Sequence, residues 1–260
     1  MLSLLATAGV MAATYYVGGP LTVWLKVGPA QLSYHFQTIT GTEAPNQILR
    51  RARELEAVGY EHVAFLHEPS LRSHHALLVH RGWGIIALPS AMGGMAWTDL
   101  GSRFSDGSFV NTSDLHAAPT WDVHPRYRDF RFPAAGSMAQ LSLLHRKRVG
   151  REGPSGAALL LPTPGTEIEA VAGGAAEVFG LQAELGNYRW TGKHFVLTPR
   201  GAVRMSSRLM HPMKELRTRT FEQRSAALMR ELDRMAPPAL SRPVQYRAHP
   251  FRASGAAAPA

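Results

Sequence analysis

The 260-residue chain contains no cysteine. Disulfides, thiolate metal sites, cysteine nucleophiles and acyl attachment through cysteine are therefore excluded. Several catalytic and nucleotide-binding signatures are missing too: there is no G-x-S-x-G, no G-x-x-x-x-G-K-[ST], no G-x-G-x-x-G and no H-E-x-x-H. His67-Glu68-Pro69 begins like the last of these and departs from it at the third residue. No internal repeat is visible. Charge is also unevenly absent. No charged side chain occurs from Leu2 to Leu25, and no basic one between Arg151 and Arg189.

The first of these gaps carries the strongest expectation about location. A helix of some two dozen residues rising ~1.5 Å each is long enough to cross a hydrocarbon layer of ~30 Å. We read residues 1–27 as a membrane anchor, with the body on the cytoplasmic side because Lys26, Arg50, Arg51 and Arg53 all follow the run. Two other readings compete. A cleaved signal peptide is disfavoured by the lack of basic residues before the apolar stretch, and a helix or strand buried in the body is favoured by Gly18, Gly19 and Pro20.

What the chain does have is net charge +9, a pI near 10.3 and 45% hydrophobic residues. That composition supplies a sizeable core and favours anionic partners: lipid headgroups, nucleic acid or an acidic protein. Residues 28–150 read as an α+β body with a mainly antiparallel sheet and flanking helices. Period-two alternation marks a strand in 31–40, and further strand-like runs are EHVAFLH, HHALLVH, GIIAL, SRF with SFVNTS across Asp106-Gly107, and RDFRF. Two helices punctuate them. One follows Thr42 and Pro45 and stops at Gly59; the other opens on Ser137 with Gln140 three residues on, a capping box, and places His145, Arg146, Lys147 and Arg148 toward its C-terminal end.

Gly150–Gly165 reads as a linker. Residues 151–235 then read as a helix–hairpin–helix region: a helix despite Gly173-Gly174, a hairpin turning near Thr191-Gly192, and a long C-terminal amphipathic helix from Thr198-Pro199 to about Met235, kinked at Pro212. Residues 236–260, rich in proline, alanine and arginine, read as a disordered tail.

The candidate site lies on that long helix. At ~100° per residue Arg200, Arg204 and Arg208 share one face, while Val203, Leu209, Met210, Met213 and Leu216 fall on another. An interfacial helix of this kind puts its apolar side into the headgroup boundary and meets anionic lipid at ~1 kcal/mol per cation. We therefore expect membrane-surface binding by Arg200, Arg204, Arg208, Met210 and Met213. The commoner alternative is a stripe packed on the body with a solvated charged face.

Helix, hairpin YRWTG/KHFVLT and PRGAVRM together resemble the helix–wing–helix part of winged-helix DNA-binding domains. That resemblance implies a basic recognition helix against phosphates, yet the preceding helix carries Glu167, Glu169, Glu177 and Glu184 and no cation. Nucleic acid is accordingly not the expected partner. Twelve histidines raise a metal-assisted hydrolase as the alternative function, with His62, His67, His74, His75 and His80 on strands and Asp106, His116, Asp122 and His124 in turns. No metal-ligand spacing joins them, so neither metal nor cofactor is expected and no catalytic residue is assigned. The leading expectation is a membrane-anchored, non-enzymatic interaction module with membrane lipid as partner and a protein as a second candidate.

Overall fold

The computed structural model describes residues 20–21, 35–69, 71–117, 123–209, 213–236 and 242–247. Its centre is a nine-stranded sheet. Strands β1 (Gln37–Ile39), β2 (Glu61–Glu68), β3 (Ser73–His80), β4 (Ile85–Met92), β5 (Met95–Phe104) and β6 (Phe109–Ser113) follow one another as antiparallel neighbours, and β7 (Tyr127–Arg131) closes that row in parallel with β6. The β5–β6 turn forms where the Asp-Gly pair predicts it. Gly107 takes φ +83°, and Asp106 Oδ1 accepts from the Ser108 amide at 2.9 Å.

Helices α1 (Asn46–Glu56) and α2 (Met138–Glu152) cover one face of the sheet. Ile48, Ala52 and Leu55 recur at helical spacing on α1 and bury against Ala76, Leu78, Ala87 and Leu100, the residues whose alternation points them to that side. Gly59 at φ +94° ends the turn after α1, as its position suggests. Thr42 does not cap this helix; Pro45 holds the N-cap position with no side-chain hydrogen bond. On α2 Ser137 is the N-cap, its Oγ accepting from the Gln140 amide at 3.2 Å, while Gln140 Oε1 reaches back past the cap to the Gly136 amide at 2.8 Å.

The basic run on α2 departs from expectation. The helix continues to Glu152, so Lys147 and Arg148 sit in its middle, buried rather than solvated at a terminus. Lys147 Nζ donates to Leu232 O at 2.7 Å, while Arg148 pairs with Glu152 and also donates through Nη2 to Arg128 O at 3.0 Å.

The opposite face is covered in part by α3 (Glu167–Glu184), whose Ile168 and Val171 pack with Leu66, Leu77, Ile86 and Leu88. Three acidic residues of α3 pair with sheet-side arginines: Glu167 with Arg81, Glu177 with Arg103, Glu184 with Arg126. Strands β9 (Tyr188–Trp190) and β10 (Phe195–Leu197) form a separate hairpin.

Two expectations change at the chain's far end. Gly150–Gly165, read as a linker, contains β8 (Leu159–Pro162), which pairs with β5 through Arg103 and Phe104. Val244–Arg247, read as part of a disordered tail, form β11, parallel to β8. Alternating patterns are undetectable in strands of four residues, and both gain their order only from partners distant in sequence. The long amphipathic helix is two helices, α4 (Pro199–Leu209) and α5 (Met213–Arg234), with Pro212 between them; proline brings no amide donor to an α-helical ladder. Among the described residues no helix is long and apolar enough to cross a membrane. The expected anchor, apart from Pro20 and Leu21, lies outside them.

Candidate functional site

The α3, β9–β10 and α4 segments form a small body with its own core of Tyr188, Phe195, Leu197 and Ala202, joined by Phe179, Ala183 and Met205. Thr198 fixes the start of α4. Its hydroxyl accepts from the Gly201 amide at 3.0 Å and donates to Gly186 O at 2.7 Å. Asn187 ties the hairpin back to α3, its Nδ2 donating to Gln182 Oε1 at 2.8 Å.

The buried stripe of α4 is Gly201, Ala202 and Ser206, with Met205 half-buried. Small residues let this helix approach the hairpin closely, and it is this side that packs. Val203 faces outward at 53% exposure, with Arg200 one turn before it and Ser207 one turn after, both exposed. Arg204 and Arg208 are half-buried. Arg200 and Val203 thus share the exposed side of α4, with Arg204 and Arg208 half-buried next to it.

On α5, Leu216 is 60% exposed, beside exposed Lys214, Arg219 and Thr220. The second half of that helix docks on the body, where Leu232 is buried and the Ser225 hydroxyl donates to Arg131 O at 2.9 Å. Helices α4 and α5 together carry nine Arg or Lys against four Glu or Asp. Of the site expected from sequence, Met210 lies outside the described residues, as does the side chain of Met213.

Among the described residues the histidines do not gather at one point. His67 and His74 are paired across β2 and β3 with ring centroids 4.6 Å apart; His80 stacks edge-on against Tyr60; His124 Nε2 lies 3.1 Å from Glu184 Oε2 on α3. Asp122 is outside the described residues. Among the described residues no group of three or more histidine, aspartate or glutamate side chains is placed to hold a metal ion.

One histidine has a role that spacing did not reveal. His75 points to the sheet face opposite α1 and α2, and bridges two serines at 2.8 Å each, Ser73 at Nε2 and Ser90 at Nδ1. Ser90 Oγ also donates to Leu88 O, so it accepts from His75 Nδ1–H, and Nε2 is left to accept from Ser73. Burial, with His74 alongside, lowers the His75 pKa to about 4 and keeps the ring neutral. A hydroxyl donating to a neutral imidazole is the first requirement of an activated nucleophile. The second, access, is unmet: Ser73 is 2% exposed, and the Phe36 ring packs edge-on against His75. The triplet is a closed hydrogen-bond circuit inside the sheet.

Next to it on the same face, Trp97 Nε1 donates to Asp99 Oδ2 at 2.7 Å, and Asn111 Nδ2 bridges Asp99 at 3.4 Å and Asp129 at 2.9 Å. Burial and the Asp129 charge raise the Asp99 pKa. The register pairs His75 with Ser90 and Ser90 with Trp97, and this makes the polar row continuous across β3, β4 and β5. The i, i+2 spacing of Ser73 with His75 and of Trp97 with Asp99 was the available signal. Neither protein-family models, nor curated proteins, nor solved structures give a match to this chain.

Proposed function

We propose that this chain is a non-enzymatic interaction module at a membrane surface, held by an N-terminal span over residues 1–27 with its body on the cytoplasmic side. Helices α4 and α5 are its lipid-facing side, and the sheet is the frame that carries them. The supporting observation is the exposure of two large aliphatic side chains, Val203 and Leu216, on adjoining helices with a strong excess of cations. Full burial of two such side chains contributes ~3–5 kcal/mol, and each cation near an anionic surface ~1 kcal/mol. Contacts of that size give reversible binding on their own, so stable attachment requires a second signal. The uncharged N-terminal run is that second signal in this reading.

The test has two arms. Fractionation of tagged full-length protein with carbonate and detergent washes addresses the span; recovery in the soluble pool at both low and high salt ends the membrane reading. Co-sedimentation of a chain lacking residues 1–27 with vesicles containing phosphatidylserine addresses the helices. The expected result is salt-sensitive binding that is lost on neutral vesicles and in the triple variant Arg200→Glu, Val203→Glu, Leu216→Glu.

A further inference from the structure

Strand β11 is attached to the rest of the molecule in an unusual way for an edge strand. Ahead of it, Arg242 inserts its guanidinium into a cage of main-chain oxygens: Nη2 donates to Gly153 O at 2.9 Å, and Nη1 to Pro154 O at 2.6 Å and Ala157 O at 3.3 Å. The same group lies over the Phe104 ring, 5.3 Å from its centroid. Pro243 has no amide to satisfy, and its carbonyl accepts from the Leu159 amide at 2.9 Å. Val244 packs on the Phe104, Val110, Val149 and Leu159 cluster, and the ladder closes with Arg247 O accepting from the Thr163 amide at 3.1 Å. Gln245, Tyr246 and Arg247 are exposed.

This is the anatomy of strand addition: main-chain bonds give affinity, and one or two side-chain pockets give selectivity. The cage presents only carbonyl oxygens and an aromatic face, so it selects a cation, and its several fixed acceptors suit the fork of arginine better than an ammonium. Seven residues, 235–241, connect the end of α5 to this segment in the sequence, and short connections favour exchange of a terminal element between copies.

We propose that the outer edge of β8, which β11 covers in this structure, forms with the loop from Gly153 to Ala157 a strand-addition site for an arginine-led extended segment, exchangeable between residues 242–247 of its own chain and those of a second copy. Occupancy in cis sets the resting state, because a tether of this length holds its segment at an effective concentration near millimolar. Crowding of copies on a two-dimensional surface or at high concentration shifts occupancy to trans. The inference does not rest on the membrane reading.

The experiment uses the full chain, its Arg242→Ala and Arg242→Lys variants, and a synthetic peptide with the sequence of residues 240–249. Hydrogen exchange is read at the Leu159 and Thr163 amides, with those of β2 to β4 as the internal reference. Arg242→Ala is expected to lose protection at these two amides by about tenfold or more while the reference stays protected. The wild-type peptide restores it, and a peptide carrying R242A does not. Arg242→Lys falls between, which supports the reading even if the alanine variant proves unstable. Sedimentation of wild-type chain at rising concentration shows dimers that the peptide dissolves. Unchanged protection in both variants, loss that the peptide fails to restore, or equal rescue by the R242A peptide overturns the site. Rescue by the peptide with a chain that stays monomeric throughout overturns the second-copy occupant.

Discussion

Arg148 and Glu152, one turn apart on α2, meet in a two-pronged ion pair, Nε to Oε1 and Nη2 to Oε2, both at 2.8 Å. The pair orients a buried guanidinium whose remaining donors reach Asn111 O on β6, Arg128 O on β7 and the Thr112 hydroxyl. One side chain thereby ties the parallel pair at the end of the sheet to the helix beneath it. Fixed in place by its carboxylate, it also satisfies carbonyl oxygens that lie under α2.

Removing only the carboxylate leaves a buried charge without its counter-ion. Glu152→Ala is expected to lose about 3 kcal/mol of stability in urea unfolding, near the lower end for breaking a buried pair. Arg148→Met loses a comparable amount. The double variant loses clearly less than the two singles combined, because each single strands the partner; strict additivity would show that the pair is not coupled.

Much of the architecture was legible where the controlling chemistry is local. Ser137 with Gln140, Asp106 with Gly107, and Gly59 after α1 each carry their own hydrogen-bond or backbone requirement, and each forms as read. Lys147 and Arg148 misled because a run of cations on a helix is normally solvated. Their acceptors come from β6, β7 and α5, which no short window contains. The packed stripe of α4 was not legible from hydropathy, because close approach to the hairpin favours Gly201 and Ala202, residues too small to stand out in an apolar pattern. The circuit of Ser73, His75 and Ser90 depends on a register of β3 with β4 that follows only from the assembled sheet.

His75 makes the fold sensitive to acid. Between the ordinary value of 6.5 and about 4, the unfolded chain holds a proton that the folded chain refuses. Stability therefore falls as pH drops through that window, by ~3 kcal/mol at its lower edge for a group this buried. Buried His145, also held well below its usual value, adds in the same direction. Urea midpoints measured from about pH 7 to about pH 4 should decline. In His75→Gln the decline is shallower, although the loss of the Ser73 acceptor lowers stability at neutral pH.

Asp99 behaves in the opposite sense. Its pKa is raised by burial first and by Asp129 second, so the folded chain binds this proton more readily than the unfolded chain does. The cost of its charge is present at neutral pH and vanishes as pH falls below the ordinary aspartate value of 3.8. Asp99→Asn keeps an oxygen for Trp97 Nε1 and removes the repulsion from Asp129. It should raise the neutral-pH urea midpoint, with a gain that shrinks to nothing in acid; an equal gain at every pH would show that charge is not the cause.

The junction of α4 with the hairpin gives the most local prediction. A Cβ on Gly201 would fall 2.1 Å from Asn187 O, a main-chain atom that also accepts from the Thr198 amide at 3.0 Å. Backbone bounds the contact on both sides, so no side-chain rotation relieves it, and the hairpin must move away from α4. Gly201→Ala should destabilise the α3, hairpin and α4 unit by about 1–3 kcal/mol. Trp190, whose ring lies 4.9 Å from that of Phe195, reports the change as altered fluorescence, while amides of β2 to β5 keep their protection. Gly180→Ala on α3 is the control. Its added Cβ meets nothing within 4 Å, so it gains roughly the 1 kcal/mol by which alanine exceeds glycine in a helix. A Gly201→Ala chain as stable as the Gly180→Ala chain would mean that α4 does not pack on the hairpin through this contact.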